Sequence, residues 1–168
     1  ADISGFCIQN KIPYREVEDI NSEYSVSELQ STKPDYIISS WPKIIRTTVL
    51  NIPKYFCIGT HPTNLPYNRG RHPLHWIIAL DIQETKLSFF KMDEGVDTGD
   101  LLLQVPFTIA TDNTINDVND KMNHAAYEGT KKLCKKFQSH TSYQGEKQNH
   151  ELANYWRKRT PHDITLDL

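Results

Sequence analysis

The stretch Tyr55–Trp76, YFCIGTHPTNLPYNRGRHPLHW, decides how the chain is read. It opens on Tyr55 to Ile58, apolar and aromatic residues that suit a short strand. Proline and glycine then punctuate a polar loop, and a second apolar run starts behind Pro73, a residue suited to the first turn of a helix. In open α/β sheets, ligands sit in the loops at the carboxyl ends of strands. His61 falls in such a loop, with Pro62, Leu65 and Pro66 restricting the backbone beside it. Taken alone it reads rather as a surface histidine in a proline-rich turn.

On both sides of this stretch, short apolar segments alternate with helical ones, the pattern of an α/β protein. Strands are expected at Gly5–Ile8, Tyr36–Ser39, Tyr55–Ile58, Leu87–Lys91 and Leu101–Val105. Helices are expected at Ser25–Ser31, Lys43–Leu50, Pro73–Leu80 and Thr114–Phe137. The last helix is amphipathic: Val118, Met122, Ala125 and Leu133 recur at helical spacing, and its lysines form a solvated C-terminal end. After Ser139 the composition turns polar, and residues 139–151 read as a loop or a short hairpin around Gly145.

The chain's 168 residues suit one compact domain. A formal charge of −2 supplies no basic field for general binding to nucleic acid or an anionic membrane. No apolar run approaches the ~20 residues a bilayer needs, and the opening ADISGFCIQN has no signal-peptide pattern. A soluble cytoplasmic protein is expected. Cys7, Cys57 and Cys134 are widely spaced, as reduced thiols are, and Cys57 reads as a small buried hydrophobe.

A second loop, KMDEGVDTGD from Lys91 to Asp100, lies between two expected strands and carries Asp93, Glu94, Asp97 and Asp100. Such a loop can bind calcium, turn the chain or supply a catalytic carboxylate. Calcium is disfavoured because the ligand spacing is not that of an EF-hand. His72 and His75 lack a third ligand for zinc, so no metal is expected.

Together the two loops resemble the N10-formyltetrahydrofolate-dependent formyltransferases. That family carries an N-x-H-P-S-L-L-P-x-x-x-G stretch and an aspartate 36 residues after the histidine in a D-E-G-x-D-T-G-like loop. Here G-T-H-P-T-N-L-P-Y-N-R-G runs from Gly59 to Gly70, D-E-G-V-D-T-G runs from Asp93 to Gly99, and 97 − 61 = 36. The tail from Asn154 to Leu168 resembles the R-R-T-P-x-D segment of methionyl-tRNA and aminosugar formyltransferases. The likeness runs from about Asn10 to the C-terminus.

The resemblance implies a Rossmann-like α/β sheet flanked by helices, with a catalytic domain over residues 1–138 and a short C-terminal extension over 139–168. It also implies that the chain opens at the segment leading into the family's third strand, which leaves a gap in the sheet where the first would lie. N10-formyltetrahydrofolate is the implied co-substrate. His61 would stabilise the oxyanion and Asp97 would tune it and assist proton transfer. Ser40, Trp41, Pro42 and Ile45 would line one wall of the folate pocket, and Met92, Glu94, Gly95 and Val96 the other. Thr63, Arg69, Gly70 and Arg71 would meet the acceptor, arginines suiting a nucleotide diphosphate. The R-G-R-H-P-L-H-W run resembles the R-G-R-A-P-L-N-W of an aminosugar enzyme, which implies a nucleotide-linked aminosugar and no nucleic-acid partner. Methionyl-tRNA is the alternative acceptor. Gly59 stands in place of the family's asparagine, the second oxyanion donor, so a weak or silent folate-binding member is a further alternative. Homodimerisation is expected by analogy.

Overall fold

A computed structural model describes residues 2–139 and 143–164. Residues 140–142 of the polar stretch and 165–168 of the tail, with the part of each expectation that falls on them, lie outside the described residues.

The first element corrects an expectation. Gly5–Ile8 is not a strand but part of helix α1, Ile3–Gln9, because the Asp2 carboxylate accepts from Gly5 N (2.8 Å) and caps it. A short apolar run cannot be assigned by periodicity alone, and the cap decided it. Helix α2, Glu23–Ser31, follows with Ser22 as its N-cap. It leads to strand β1, Tyr36–Ser39. The helix expected over Lys43–Leu50 shrinks to α3, Thr47–Leu50. Arg46 N donates to the Asn21 side chain (2.7 Å) instead of entering a helical ladder.

Strand β2, Phe56–His61, extends three residues past its expected end and carries His61 as its last residue. A two-residue strand β3, Arg69–Gly70, precedes α4, Pro73–Ala79, which has proline in its first turn. A hairpin of β4, Glu84–Lys91, and β5, Leu101–Thr108, feeds the long helix α5, Ile115–Ser139. A 3-10 turn at His150–Leu152, strand β6 at Tyr155–Trp156 and a second 3-10 turn at Pro161–Ile164 follow. Near Gly145, Glu146 forms an antiparallel bridge with Leu101.

The main sheet has the order β1-β2-β4-β5, with β1 and β2 parallel and the other pairs antiparallel. Helix α5 packs on it: Ile58, Leu87, Phe89, Leu102 and Val105 share one core with Val118, Ala125 and Leu133, joined by Ile77 from α4. Each of these side chains larger than alanine contributes about 1.5–3 kcal/mol by leaving water. On its other edge β1 has no strand partner among the described residues, and Ile38 there is 48% exposed. The tail folds back across the domain, where β6 pairs in parallel with β3. All three cysteines are free thiols. Among the described residues no helix is long and apolar enough to cross a membrane.

Candidate active site

The loop after β2 is fastened from beneath by buried polar groups. Ser88 of β4 lies opposite His61 in the sheet; its hydroxyl donates to the Thr63 carbonyl (2.6 Å) and accepts from Leu65 N (3.3 Å). Gln104 of β5 donates to the Leu65 carbonyl (3.1 Å). These bonds fasten the loop that follows His61, while His61 itself ends the strand and is only 5% exposed. Its Nε2 lies 2.8 Å from the Asn68 carbonyl oxygen. A carbonyl only accepts, so Nε2 carries a proton. The other ring nitrogen, Nδ1, lies 3.5 Å from Asp97 Oδ2.

Asp97 comes from the loop between β4 and β5. That loop leaves the sheet level with Cys57, where Met92 N donates to the Cys57 carbonyl (2.8 Å), and folds back until Asp97 faces His61. Within it, Asp93 accepts from Gly95 N (3.0 Å) and from the Thr98 hydroxyl (2.6 Å). Asp97 itself is left-handed, with φ 55, a conformation costing about 1–2 kcal/mol that aspartate tolerates better than most residues. Its carboxylate accepts from Gly70 N (2.9 Å). Gly70, at φ 104, lies tight against the Trp156 carbonyl, where a Cβ would collide. Two loops and the tail therefore converge on one carboxylate.

The Thr47 hydroxyl donates to Glu94 Oε1 (2.8 Å), which ties the segment after β1 to the β4–β5 loop. Ile45 is buried, Trp41 and Met92 are half-buried, and Ser40, Pro42, Glu94, Gly95 and Val96 are exposed. The Trp41 indole Nε1 is buried and without a partner among the described residues. At Gly59 the space of a side chain is filled: a Cβ would lie 2.7 Å from Phe90 Cζ and 3.1 Å from Met92 Cγ.

Of the four residues expected at the acceptor, two are buried in the structure. Thr63 and Arg69 are each 1% exposed. The Thr63 hydroxyl donates to the Tyr67 carbonyl (2.8 Å), stapling its own loop. The Arg69 guanidinium points inward to the Tyr155 hydroxyl (3.0 Å) and Gln148 Oε1 (2.7 Å). Arg71 remains exposed. Beside it, partial burial, the neighbouring His75 imidazole and the cations Lys158, Arg71 and Arg159 hold the His72 imidazole below its usual range. Sequence reasoning missed Gln148, Phe90 and Ser88. Gln148 sits in a polar run with no periodicity, and only the fold brings it to the loop.

The family model described as formyl transferase matches residues 3–133. The methionyl-tRNA formyltransferase of Acetivibrio thermocellus is 31% identical over 154 residues, covering 91% of this chain and 49% of that protein. The chain thus spans about half the length of the curated relatives it matches. Among solved structures, the methionyl-tRNA formyltransferase from Clostridium thermocellum superposes with a TM-score of 0.72 at 24% identity, over 98% of this chain and 70% of that one. The formyltransferase PseJ from Anoxybacillus kamchatkensis, solved with UDP-4,6-dideoxy-4-formamido-L-AltNAc and tetrahydrofolate, gives a TM-score of 0.67 at 21% identity, over 86% and 72% of the two chains. A family match across most of the chain, on the same α/β fold, makes this protein a member of the formyl transferase family.

Proposed function

We propose that the chain transfers a formyl group from N10-formyltetrahydrofolate to a primary amine, with His61 and Asp97 at the reacting centre. The observation that carries this is the pair itself: a buried histidine with a protonated Nε2 and a carboxylate 3.5 Å from Nδ1, which Gly70 N orients. The folate supplies the formyl carbon and the leaving nitrogen. Its ring would lie between the Trp41–Ile45 segment and the backbone of Glu94 to Val96. The buried, unpartnered Trp41 indole N–H supports the fit, because it suits a heterocycle rich in acceptors.

As the amine attacks, negative charge grows on the formyl oxygen. His61 Nε2–H exchanges the Asn68 carbonyl for that oxygen, a donor worth about 2.7–4 kcal/mol in the transition state. Asp97 stabilises the imidazole from the Nδ1 side and passes the amine proton toward the leaving nitrogen through water.

The acceptor in this reading is a nucleotide-linked aminosugar. Arg71 and Lys158 are exposed cations beside His72 that suit a diphosphate, while a net charge of −2 suits no long polyanion. Methionyl-tRNA is the second reading, favoured by the 31% identical relative. The test incubates the protein with N10-formyltetrahydrofolate and either dTDP- and UDP-aminosugars or Met-tRNA, and measures tetrahydrofolate release. Formylated sugar is the expected product. Formylation of Met-tRNA alone reverses the order of acceptors, and no product from any of them overturns the enzymatic reading.

A further inference from the structure

We infer that Gln148 is a positioning residue for Asp97; its kinetic consequence rests on the formyl-transfer reading above, its structural consequence does not. Gln148 comes from the tail yet is 5% exposed, and its side chain uses both ends inside the site. The amide nitrogen donates to the carbonyls of Asp97 (3.0 Å) and Gly99 (2.6 Å), and the amide oxygen accepts from Arg69 Nη2 (2.7 Å). The orientation of the amide is fixed by chemistry: a guanidinium only donates and a carbonyl only accepts.

These bonds close a ring. Gln148 grips the backbone of Asp97 on one side, and Gly70 N grips its carboxylate on the other (2.9 Å). Both grips trace to adjacent residues of β3, because Arg69 orients Gln148 while Gly70 donates directly. β3 is held in turn by the tail, through Arg69 N to the Asn154 carbonyl (3.0 Å) and Arg71 N to the Trp156 carbonyl (2.9 Å). A left-handed aspartate is a conformation the surroundings must enforce. The Gln148 amide holds the peptide carbonyls on both sides of the turn, so the carboxylate keeps its direction toward His61.

Two substitutions separate positioning from mere packing. Gln148→Ala removes everything and loses stability as well. Gln148→Glu keeps an oxygen that accepts from Arg69 but replaces the donor with an oxygen that repels the two carbonyls. The Gly70 amide proton, read in a ¹⁵N-correlated spectrum, reports the Asp97 carboxylate directly, and Asp97→Ala supplies its unbonded position.

For Gln148→Glu the unfolding midpoint falls, since two carbonyls lose their donor, but the protein remains folded at the assay temperature. The Gly70 resonance moves toward its Asp97→Ala position, and kcat falls about 10–100-fold with KM for the folate little changed, the scale for losing an outer-shell orienting bond. A Gly70 resonance that coincides with wild type, with kcat within about twofold, overturns the inference. If wild type shows no turnover with any acceptor, the formyl-transfer reading fails, and the Gly70 resonance alone still decides whether Gln148 places Asp97.

Discussion

The two halves of the candidate centre are held in opposite ways. His61 stands on β2, whose Cys57 and Ile58 are 1% and 0% exposed and whose position is set by apolar packing against β4 and α5. Asp97 stands on a loop whose residues 93–96 are exposed and which is shaped by individual bonds: Thr98 and Gly95 to Asp93, Gly70 and Gln148 to Asp97. Packing is non-directional and tolerates small shifts, whereas hydrogen bonds weaken steeply with angle and distance. The histidine is therefore located by volume and the aspartate by donors, and different substitutions break each.

The largest effect falls on the histidine itself. His61→Ala removes the donor to the developing oxyanion, and kcat for formyl transfer drops about 10²–10³-fold; steady-state kinetics with the acceptor found above measure it. A drop of only a few-fold means another group carries the charge. Next comes volume on the β2 side. Gly59→Asn drives a side chain into Phe90, 2.7 Å from where its Cβ would sit, and destabilises the protein by about 1–3 kcal/mol in urea unfolding. Phe90→Leu shortens the obstructing ring, so the double variant is less destabilised than the sum of the two single ones. Strict additivity refutes the contact. On the loop side, Gly99→Ala places a methyl against the Lys91 carbonyl, which as backbone cannot swing away. It costs stability on the same scale, and amide exchange at Lys91 quickens because its bond to the Asp100 carbonyl (2.8 Å) is strained.

The same division explains what the sequence made legible. Strands β1, β4 and β5 and helix α5 were readable because apolar runs and a 3.6-residue period express packing directly. His61 and Asp97 were paired from two loop motifs, and the fold brings them to 3.5 Å. Features set by single long-range donors left no local mark. Arg69 was expected to meet the acceptor, yet it turns to partners, Gln148 and Tyr155, that lie far along the chain. Helix α1 was misread because one Asp2 cap outweighed a strand-like composition. A shared core is written in periodicity, whereas a polar clasp appears only once the chain has folded.

The smallest effect tests how closed the β2 side is, through thiol chemistry. Burial pushes the Cys57 thiol up to about 11, while Cys134 on α5 is exposed. The thiolate is the reactive form, so at pH 8 only about one Cys57 in a thousand is reactive, even before access is considered. Iodoacetamide followed by peptide mass spectrometry therefore labels Cys134 and spares Cys57 until denaturant is added. The sign of the pH dependence follows from the raised folded value. The native state holds the Cys57 proton more tightly than the unfolded chain, whose thiol titrates near 8.5. This contribution to stability is complete below about pH 8 and shrinks as pH rises toward about 11. A Cys57→Ala variant lacks that ionisation, so its stability falls less between pH 8 and pH 10 than that of the wild type. Equal labelling of the two cysteines at pH 8 would show β2 opening on the labelling timescale, and His61 would then be no better anchored than Asp97.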